Sequence, residues 1–147
     1  RALAAGGHVL AQGADYIPDW PLACGWGLRA WVAANRSLVV RFIRAWAAAT
    51  DWLLQKANRD ETLALLMTEE GLKRERAQEA YARVVPKAAI NPQAIRQNME
   101  IRIELGYMRP DKPAEAYYDA SYWSEATGLP PPAPAGMPRS PAKLPAR

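Results

Sequence analysis

The chain has 147 residues, of which 50% are hydrophobic and 23% are charged, a composition typical of one globular domain with a core of its own. No apolar run approaches the ~20 residues that a membrane-spanning helix needs, because Arg41, Arg44 and Asp51 interrupt the longest candidate. We therefore expect a protein that does not span the membrane.

The net charge of +4 is unevenly distributed. Residues 129–147 carry Arg139, Lys143 and Arg147 and no acid, and setting these three aside leaves 16 of the 19 basic residues against 15 acidic ones. A nucleic-acid-binding protein gathers basic charge on a folded face, and the body of this chain has no such surplus. The charge pattern therefore argues against a nucleic-acid partner.

Residue types that carry catalysis or metal binding are sparse. The chain has one cysteine, Cys24, and one histidine, His8, which excludes an internal disulfide and a thiolate metal site. Cys24 lies in an apolar stretch, so we expect a small buried residue there. Glu69 and Glu70 are adjacent and would point about 100° apart on a helix, which prevents them from facing a substrate as an acid–base pair. The sequence predicts no catalytic site, no metal site and no cofactor, and so a protein that is not an enzyme.

The first section of the chain is rich in glycine, proline and aromatic residues. Val9–Leu10 and Leu22 to Leu28 are short and apolar, which is typical of strands. Between them, Asp15 to Pro21 reads as a stiff extended connection, because each proline moves its predecessor away from the helical region. The two strands find no further strand in the chain to complete a sheet, so we expect the missing strands to lie upstream of Arg1.

A long helix is predicted from Asn35 or Ser37, either of which can cap its start. Apolar residues recur at spacings of three and four and predict one buried face. That predicted face consists of Val39, Phe42, Ile43, Trp46, Thr50, Leu53 and Leu54.

Start and stop signals divide the rest into further helices and a tail. Asn58 to Asp60 starts a helix that Gly71 ends, and a third helix runs from about Arg74 to Val85. The next helix starts with Asn91 as its cap and Pro92 in its first turn, has Ile95, Met99 and Ile103 on one side and ends at Gly106. A last helix is predicted from Asp111 to Gly128, and the proline-rich residues 129–147 are predicted to be a disordered tail.

Six tryptophans suggest where a ligand could be held. Trp46 and Trp52, on the long helix, are expected to fill the core. Trp20 stands in the extended connection with Tyr16, and aromatic side chains on connections commonly line clefts for small molecules. Tyr16, Trp20 and Trp26 are therefore the predicted ligand-binding residues.

Four stretches of sequence then stand in a characteristic order. They are Leu22 to Trp31, Asn35 to Leu54 with Val39-Val40-Arg41-Phe42-Ile43-Arg44-Ala45-Trp46 inside it, Asn58-Arg59-Asp60-Glu61-Thr62, and Tyr117-Tyr118-Asp119-Ala120-Ser121-Tyr122-Trp123. In this order and spacing, from Val9 to Gly128, they resemble the C-terminal region of nitrate/sulfonate/taurine-type (thiamine-precursor-synthase-like) substrate-binding proteins of ABC transporters.

The resemblance implies an α/β, type II periplasmic binding protein-like fold, of which this chain would be a mostly helical C-terminal portion. Residues 1–14 would end the second lobe, residues 15–21 would be the hinge connector, and residues 22–128 would belong to the first lobe. It further implies a periplasmic or extracytoplasmic monomer that captures a small-molecule solute between two lobes and delivers it to the permease. The resemblance does not name the solute.

Two alternatives follow from the same residues. The chain could be a stand-alone helical protein-interaction module, with its apolar stripes packed as a bundle. It could also be related to an enzyme of pyrimidine-precursor synthesis that shares the binding-protein fold, but no catalytic histidine or cysteine cluster is visible in the sequence.

Overall fold

The computed structural model describes residues 5–11, 13 and 24–133. Every regular element in these ranges is helical. The α-helices with described bounds are α1 (Arg29–Ala34), α2 (Arg36–Leu54), α3 (Arg59–Glu69), α4 (Arg74–Tyr81), α5 (Pro92–Glu104) and α6 (Ser121–Thr127). Short 3-10 helices span Lys56–Asn58, Pro86–Ala88 and Ala114–Tyr117. No described helix combines the length and the apolar character needed to cross a membrane.

The predicted α/β, type II periplasmic binding protein-like fold is wrong for the described residues. Val9 and Leu10, predicted to form a strand, are irregular and are 54% and 98% exposed. Residues 24–28 of the second predicted strand are irregular as well. A strand is stable only when a neighbouring strand satisfies its backbone N–H and C=O groups, and no described segment offers such a neighbour. Helices packed on helices form this part of the chain.

The described chain divides into two compact units, one formed by residues 26–90 and 119–132 and the other, in its longest described part, by residues 91–118. In the first unit, α2 is the central element and packs against α6 and against the 3-10 helix Pro86–Ala88. Val40 of α2 forms a buried cluster with Tyr122 and Ala126 of α6. The small side chain of Ala126 lets the two helices approach, and Arg44 Nε donates a hydrogen bond of 3.2 Å to the Ala126 carbonyl.

The buried face of α2 matches the predicted one in part, since Thr50 is buried and Val39 and Ile43 pack against the core as predicted. Val40, Ala47 and Thr50 are buried, whereas Phe42 is 61% and Trp46 is 38% exposed. The prediction that Trp46 fills the core is therefore wrong. Helical spacing located an apolar stripe correctly, but α2 carries apolar residues around most of its circumference, so spacing alone could not say which side is covered.

Side-chain hydrogen bonds lie near both ends of α2. Asn35 does not cap α2 with its side chain, and its Nδ2 instead donates a 2.8 Å hydrogen bond to the Trp31 carbonyl of α1. At the other end, Asn58 Nδ2 donates to the Trp52 carbonyl at 2.9 Å and Thr62 Oγ1 donates to the Leu53 carbonyl at 3.2 Å. The last two bonds tie the C-terminal end of α2 to the residues that follow it and so help to fix the turn from α2 into α3.

Of the predicted ends of α3 and α4, the one at Gly71 agrees with the structure and the one at Val85 does not. Leu63 of α3 is 2% exposed and Ala77 of α4 is fully buried. Gly71 lies between the two helices with φ +61°, a conformation that glycine adopts without strain. α4 ends at Tyr81, four residues earlier than the predicted end at Val85.

The second unit is built around α5, whose start was predicted correctly. The Asn91 side chain accepts a 3.1 Å hydrogen bond from the Ala94 backbone N–H, and Gly106 follows the helix with φ +76°. The 3-10 helix Ala114–Tyr117 packs on α5, where Arg96 and Glu115 form an ion pair of 3.0 Å. The single helix predicted from Asp111 to Gly128 is wrong. Tyr118 is extended (φ −137°, ψ 157°), and α6 starts only at Ser121.

Candidate interaction surface

The predicted ligand-binding residues are only partly within the described structure. Tyr16 and Trp20 lie outside the described residues. Trp26 is described, precedes α1 and is 91% exposed. Trp31 on α1 is 52% exposed. Cys24 is exposed, so the prediction of a buried cysteine is wrong. Of the three predicted residues, Trp26 therefore presents an indole that a ligand could reach.

A larger apolar surface lies along α2, on the side turned away from α6. Phe42 comes two residues after the buried Val40, which places it about 160° around the helix from the core. Leu38, Phe42 and Trp46 recur every four residues and are 46%, 61% and 38% exposed. Ala45 and Ala49 lie between them and are exposed too. We call these five residues the outer face of α2.

Two aromatic rings organise the outer face. The ring centres of Phe42 and Trp46 are 5.8 Å apart, and the ring planes are inclined at 58°. This tilted arrangement is favourable for aromatic pairs, and residues four apart on a helix are placed to adopt it. The pair therefore holds both side chains in place and offers a partner an ordered apolar platform.

The charges on α2 are of one sign near the outer face. Residues 36–50 contain Arg36, Arg41 and Arg44 and no acid. Arg36 is paired with Glu125, and Arg44 donates to the Ala126 carbonyl. Arg41 is exposed and makes no ion pair with any described residue. Because Arg41 lies one turn after Leu38 and one turn before Ala45, it borders the outer face with a positive charge.

A second feature, the Arg36 cluster, joins the start of α2 to the start of α6. Arg36 Nε donates to Glu125 Oε2 at 2.8 Å, and Arg36 Nη2 donates to Ser121 Oγ at 3.3 Å. The guanidinium also lies over the ring of Tyr122, with Cζ 4.2 Å from its centre. The hydrogen bond to Glu125 raises the pKa of Arg36 above its usual value. The guanidinium thus stays charged and binds three α6 side chains at once.

Asp119 completes the Arg36 cluster. Its Oδ1 accepts a 2.9 Å hydrogen bond from the Ser121 backbone N–H. The Ser121 hydroxyl lowers the pKa of Asp119 most, and the Ser121 backbone N–H and the charges of Arg36 and Arg29 lower it further. The carboxylate is therefore held ionised at the turn that precedes α6.

We also searched the described residues for side chains that could bind a metal ion. No three His, Cys, Asp or Glu side chains among residues 5–11, 13 and 24–133 are grouped to hold a metal ion. Of the features of this surface, the sequence revealed only that two aromatic residues, Phe42 and Trp46, lie on the same helix. The outer face as such was missed, because Phe42 and Trp46 were assigned to the buried face of the helix.

Comparison with known proteins finds no relative for this chain. No protein-family model, no curated protein and no solved structure matches it. The outer face of α2, the Arg36 cluster and the exposed Trp26 are therefore the features on which a function can be based.

Proposed function

We propose that this chain is the helical part of a solute-binding component of an ABC importer, which captures a small molecule and delivers it to the permease. The observation that carries the proposal is the contact between two of the four stretches that resemble this family. Arg36, from the second stretch, packs on Tyr122, from the last stretch. Val40 and Tyr122 also share one buried cluster.

This contact supports the proposal because it gives the spacing of the motifs a physical reason. Residues far apart in sequence depend on one another's size and charge when their side chains pack together in one body. The Arg36 cluster and the Val40–Tyr122–Ala126 core together require an arginine, a tyrosine and a small residue at fixed positions of two helices. Parts of the second and the last stretch thus pack against each other, and this packing is what supports the proposal.

Ligand capture is assigned to exposed aromatic side chains. Trp26 offers a large apolar surface and one N–H donor at a small cost in side-chain entropy, which suits it to a small molecule with an apolar body and one polar group. Such a protein changes no bond in its ligand. It acts through a difference in ligand affinity between two of its states, and the permease recognises the liganded state.

A thermal unfolding screen tests solute binding. The chain is heated with nitrate, alkanesulfonates, taurine and substituted pyrimidines, each with a matched inert salt as a control. A solute present at ten times its dissociation constant should stabilise the folded state by about 1.4 kcal/mol and raise the Tm. Trp26→Ala should abolish the rise, whereas Trp31→Ala should preserve it. If no solute raises the Tm more than the inert salt does, solute binding by this chain is wrong.

A second function, a helical protein-interaction module, is favoured by the outer face of α2. A helix that is apolar on both sides is ordinarily covered on both sides, and α6 covers only one side of α2. Association that requires Phe42 but no solute would support this function. Solute binding that is insensitive to Phe42→Ser would assign the chain to the importer instead.

A further inference from the structure

We propose that the outer face of α2 binds an acidic amphipathic helix of a partner protein, with its apolar residues against Leu38, Phe42 and Trp46 and its carboxylates against Arg41. The inference rests on the second proposed function, the helical interaction module, and names the chemistry of its partner.

The apolar residues of the outer face have the spacing that a docked helix needs. Leu38, Phe42 and Trp46 lie within nine residues, and the eight rises of 1.5 Å between the first and the last make the stripe about 12 Å long. A partner helix of about three turns can place apolar residues at positions i, i+4 and i+7 along such a stripe. The small side chains of Ala45 and Ala49, both exposed, leave room beside the stripe for the knobs of that helix.

Charge decides which helix fits. The first fifteen residues of α2, residues 36–50, hold three arginines and no acid. Two of these arginines are occupied within the chain, by Glu125 and by the Ala126 carbonyl. Arg41 is exposed and makes no ion pair with any residue that the structure describes, so its charge is available to a partner. A partner helix with Glu or Asp beside its apolar stripe would be complementary to Arg41, whereas a basic helix would be repelled.

A second copy of the chain fits the outer face less well. In a symmetric dimer each copy presents the same patch, so Arg41 would face a stretch, residues 36–50, that carries three arginines and no acid. The half-exposed Leu38, Phe42 and Trp46 offer on the order of 300 Å² of apolar area together. A stable interface between globular proteins buries about 800 Å² on each partner. A single short helix is the occupant that such an area suits.

Two synthetic peptides test the proposal. Both have the same leucine stripe at helical spacing. In one the flanking positions are Glu, and in the other they are Lys. Binding is followed by fluorescence anisotropy of the labelled peptide against the full chain. We expect the Glu-flanked peptide to bind at least tenfold more tightly than the Lys-flanked one, and high salt to reduce the difference.

Variants of the chain locate the binding surface. Leu38→Ser should weaken binding of the Glu-flanked peptide at least tenfold, since it removes a leucine that the peptide covers. Leu65→Ser is the matched control, because Leu65 lies on α3 and is 41% exposed, close to the 46% of Leu38. Arg41→Glu should reverse the preference, so that the Lys-flanked peptide binds more tightly. Both substituted leucines are exposed, and circular dichroism verifies that each variant stays folded.

Three results would overturn the proposal. The first is that neither peptide binds, or that both bind equally and Leu38→Ser has no effect, which also removes the interaction module. The second is equal loss of binding in Leu38→Ser and Leu65→Ser, which places the peptide elsewhere. The third is self-association in sedimentation experiments that Phe42→Ser abolishes. That result keeps the interaction module and assigns the outer face to a second copy. The solute screen is independent of all three.

Discussion

The guanidinium carbon of Arg36 lies 4.2 Å from the ring centre of Tyr122, so the first turn of α2 is attached to the first turn of α6. Tyr122 is 8% exposed, which means that its ring presents a largely desolvated face to the cation. The same guanidinium is 2.7 Å from a carboxylate oxygen of Glu125. One arginine side chain thereby orients α6 on α2 from two directions, and this orientation sets which side of α2 is covered.

The pH dependence of stability should show the contribution of Asp119. Its pKa is lower in the folded chain than its usual value, because Ser121 and the nearby arginines favour the carboxylate. Folding is therefore stabilised above the pKa of the unfolded chain, about 3.9, and this stabilisation is lost as the pH falls through the lower folded pKa. In urea unfolding from pH 6 to pH 2.5, the wild type should lose stability in acid more steeply than Asp119→Asn.

A variant that keeps the carboxylate but removes its main hydrogen-bond partner provides the control for this measurement. Ser121→Ala removes the hydroxyl that lowers the pKa of Asp119 most, so it should lose stability in acid less steeply than the wild type. If the free energy of unfolding falls with pH equally steeply in the wild type and in Asp119→Asn, folding does not favour the ionised form of Asp119.

Backbone strain at the 3-10 helix Pro86–Ala88 should be relieved by glycine. Ala88 has φ +47°, in the left-handed region that a Cβ disfavours. Glycine adopts this conformation freely, although it raises the entropy of the unfolded chain. We expect Ala88→Gly to increase the free energy of unfolding by about 0.5–1 kcal/mol. Ala89, with φ −64°, is the matched control, and Ala89→Gly should lower it. Destabilisation by Ala88→Gly in chemical unfolding would contradict the strain.

The indole of Trp123 holds the same 3-10 helix against α6. Trp123 Nε1 donates a 2.9 Å hydrogen bond to the Lys87 carbonyl, and Lys87 in turn pairs with Asp51 of α2. Trp123→Phe keeps most of the apolar volume but removes the donor. We expect a loss of about 1–2 kcal/mol in urea unfolding, since a half-buried carbonyl is left without its bond. A loss equal to that of Trp46→Phe, on the exposed outer face, would mean that the hydrogen bond contributes nothing.

Burial of Leu63 should dominate the stability of the α3–α4 pair. Leu63 is 2% exposed, and two residues later Leu65 is 41% exposed on the same helix. Leu63→Ala should reduce the free energy of unfolding by about 2–5 kcal/mol, because it leaves a cavity. Leu65→Ala should change it by less than about 0.5 kcal/mol. Similar losses in the two variants, measured by guanidinium unfolding, would contradict the position of the core.

Local chemistry made several helix boundaries predictable. Asn91 caps α5 as its position before Pro92 indicated, and Gly106 and Gly128 have the positive φ values that helix-ending glycines adopt. These features depend on a few neighbouring atoms, so a short sequence window contains them. The single last helix was wrong because its prediction joined a start signal at Asp111 and Pro113 to a stop signal at Gly128, whereas the extended Tyr118 interrupts the segment between them.

The sequence by itself determined that α2 is a long apolar helix, because residue spacing of three and four is a property of the chain alone. It could not determine how far the buried side of α2 extends around the helix, since apolar residues lie on both sides. The tertiary structure decided that through α6, whose Ala126 and Tyr122 cover Val40 and leave Phe42 and Trp46 exposed. The predicted strands failed for a related reason, because a strand exists only with a partner and the described chain supplies none. Local periodicity defines an element, whereas burial is a relation between two elements that only their packing settles.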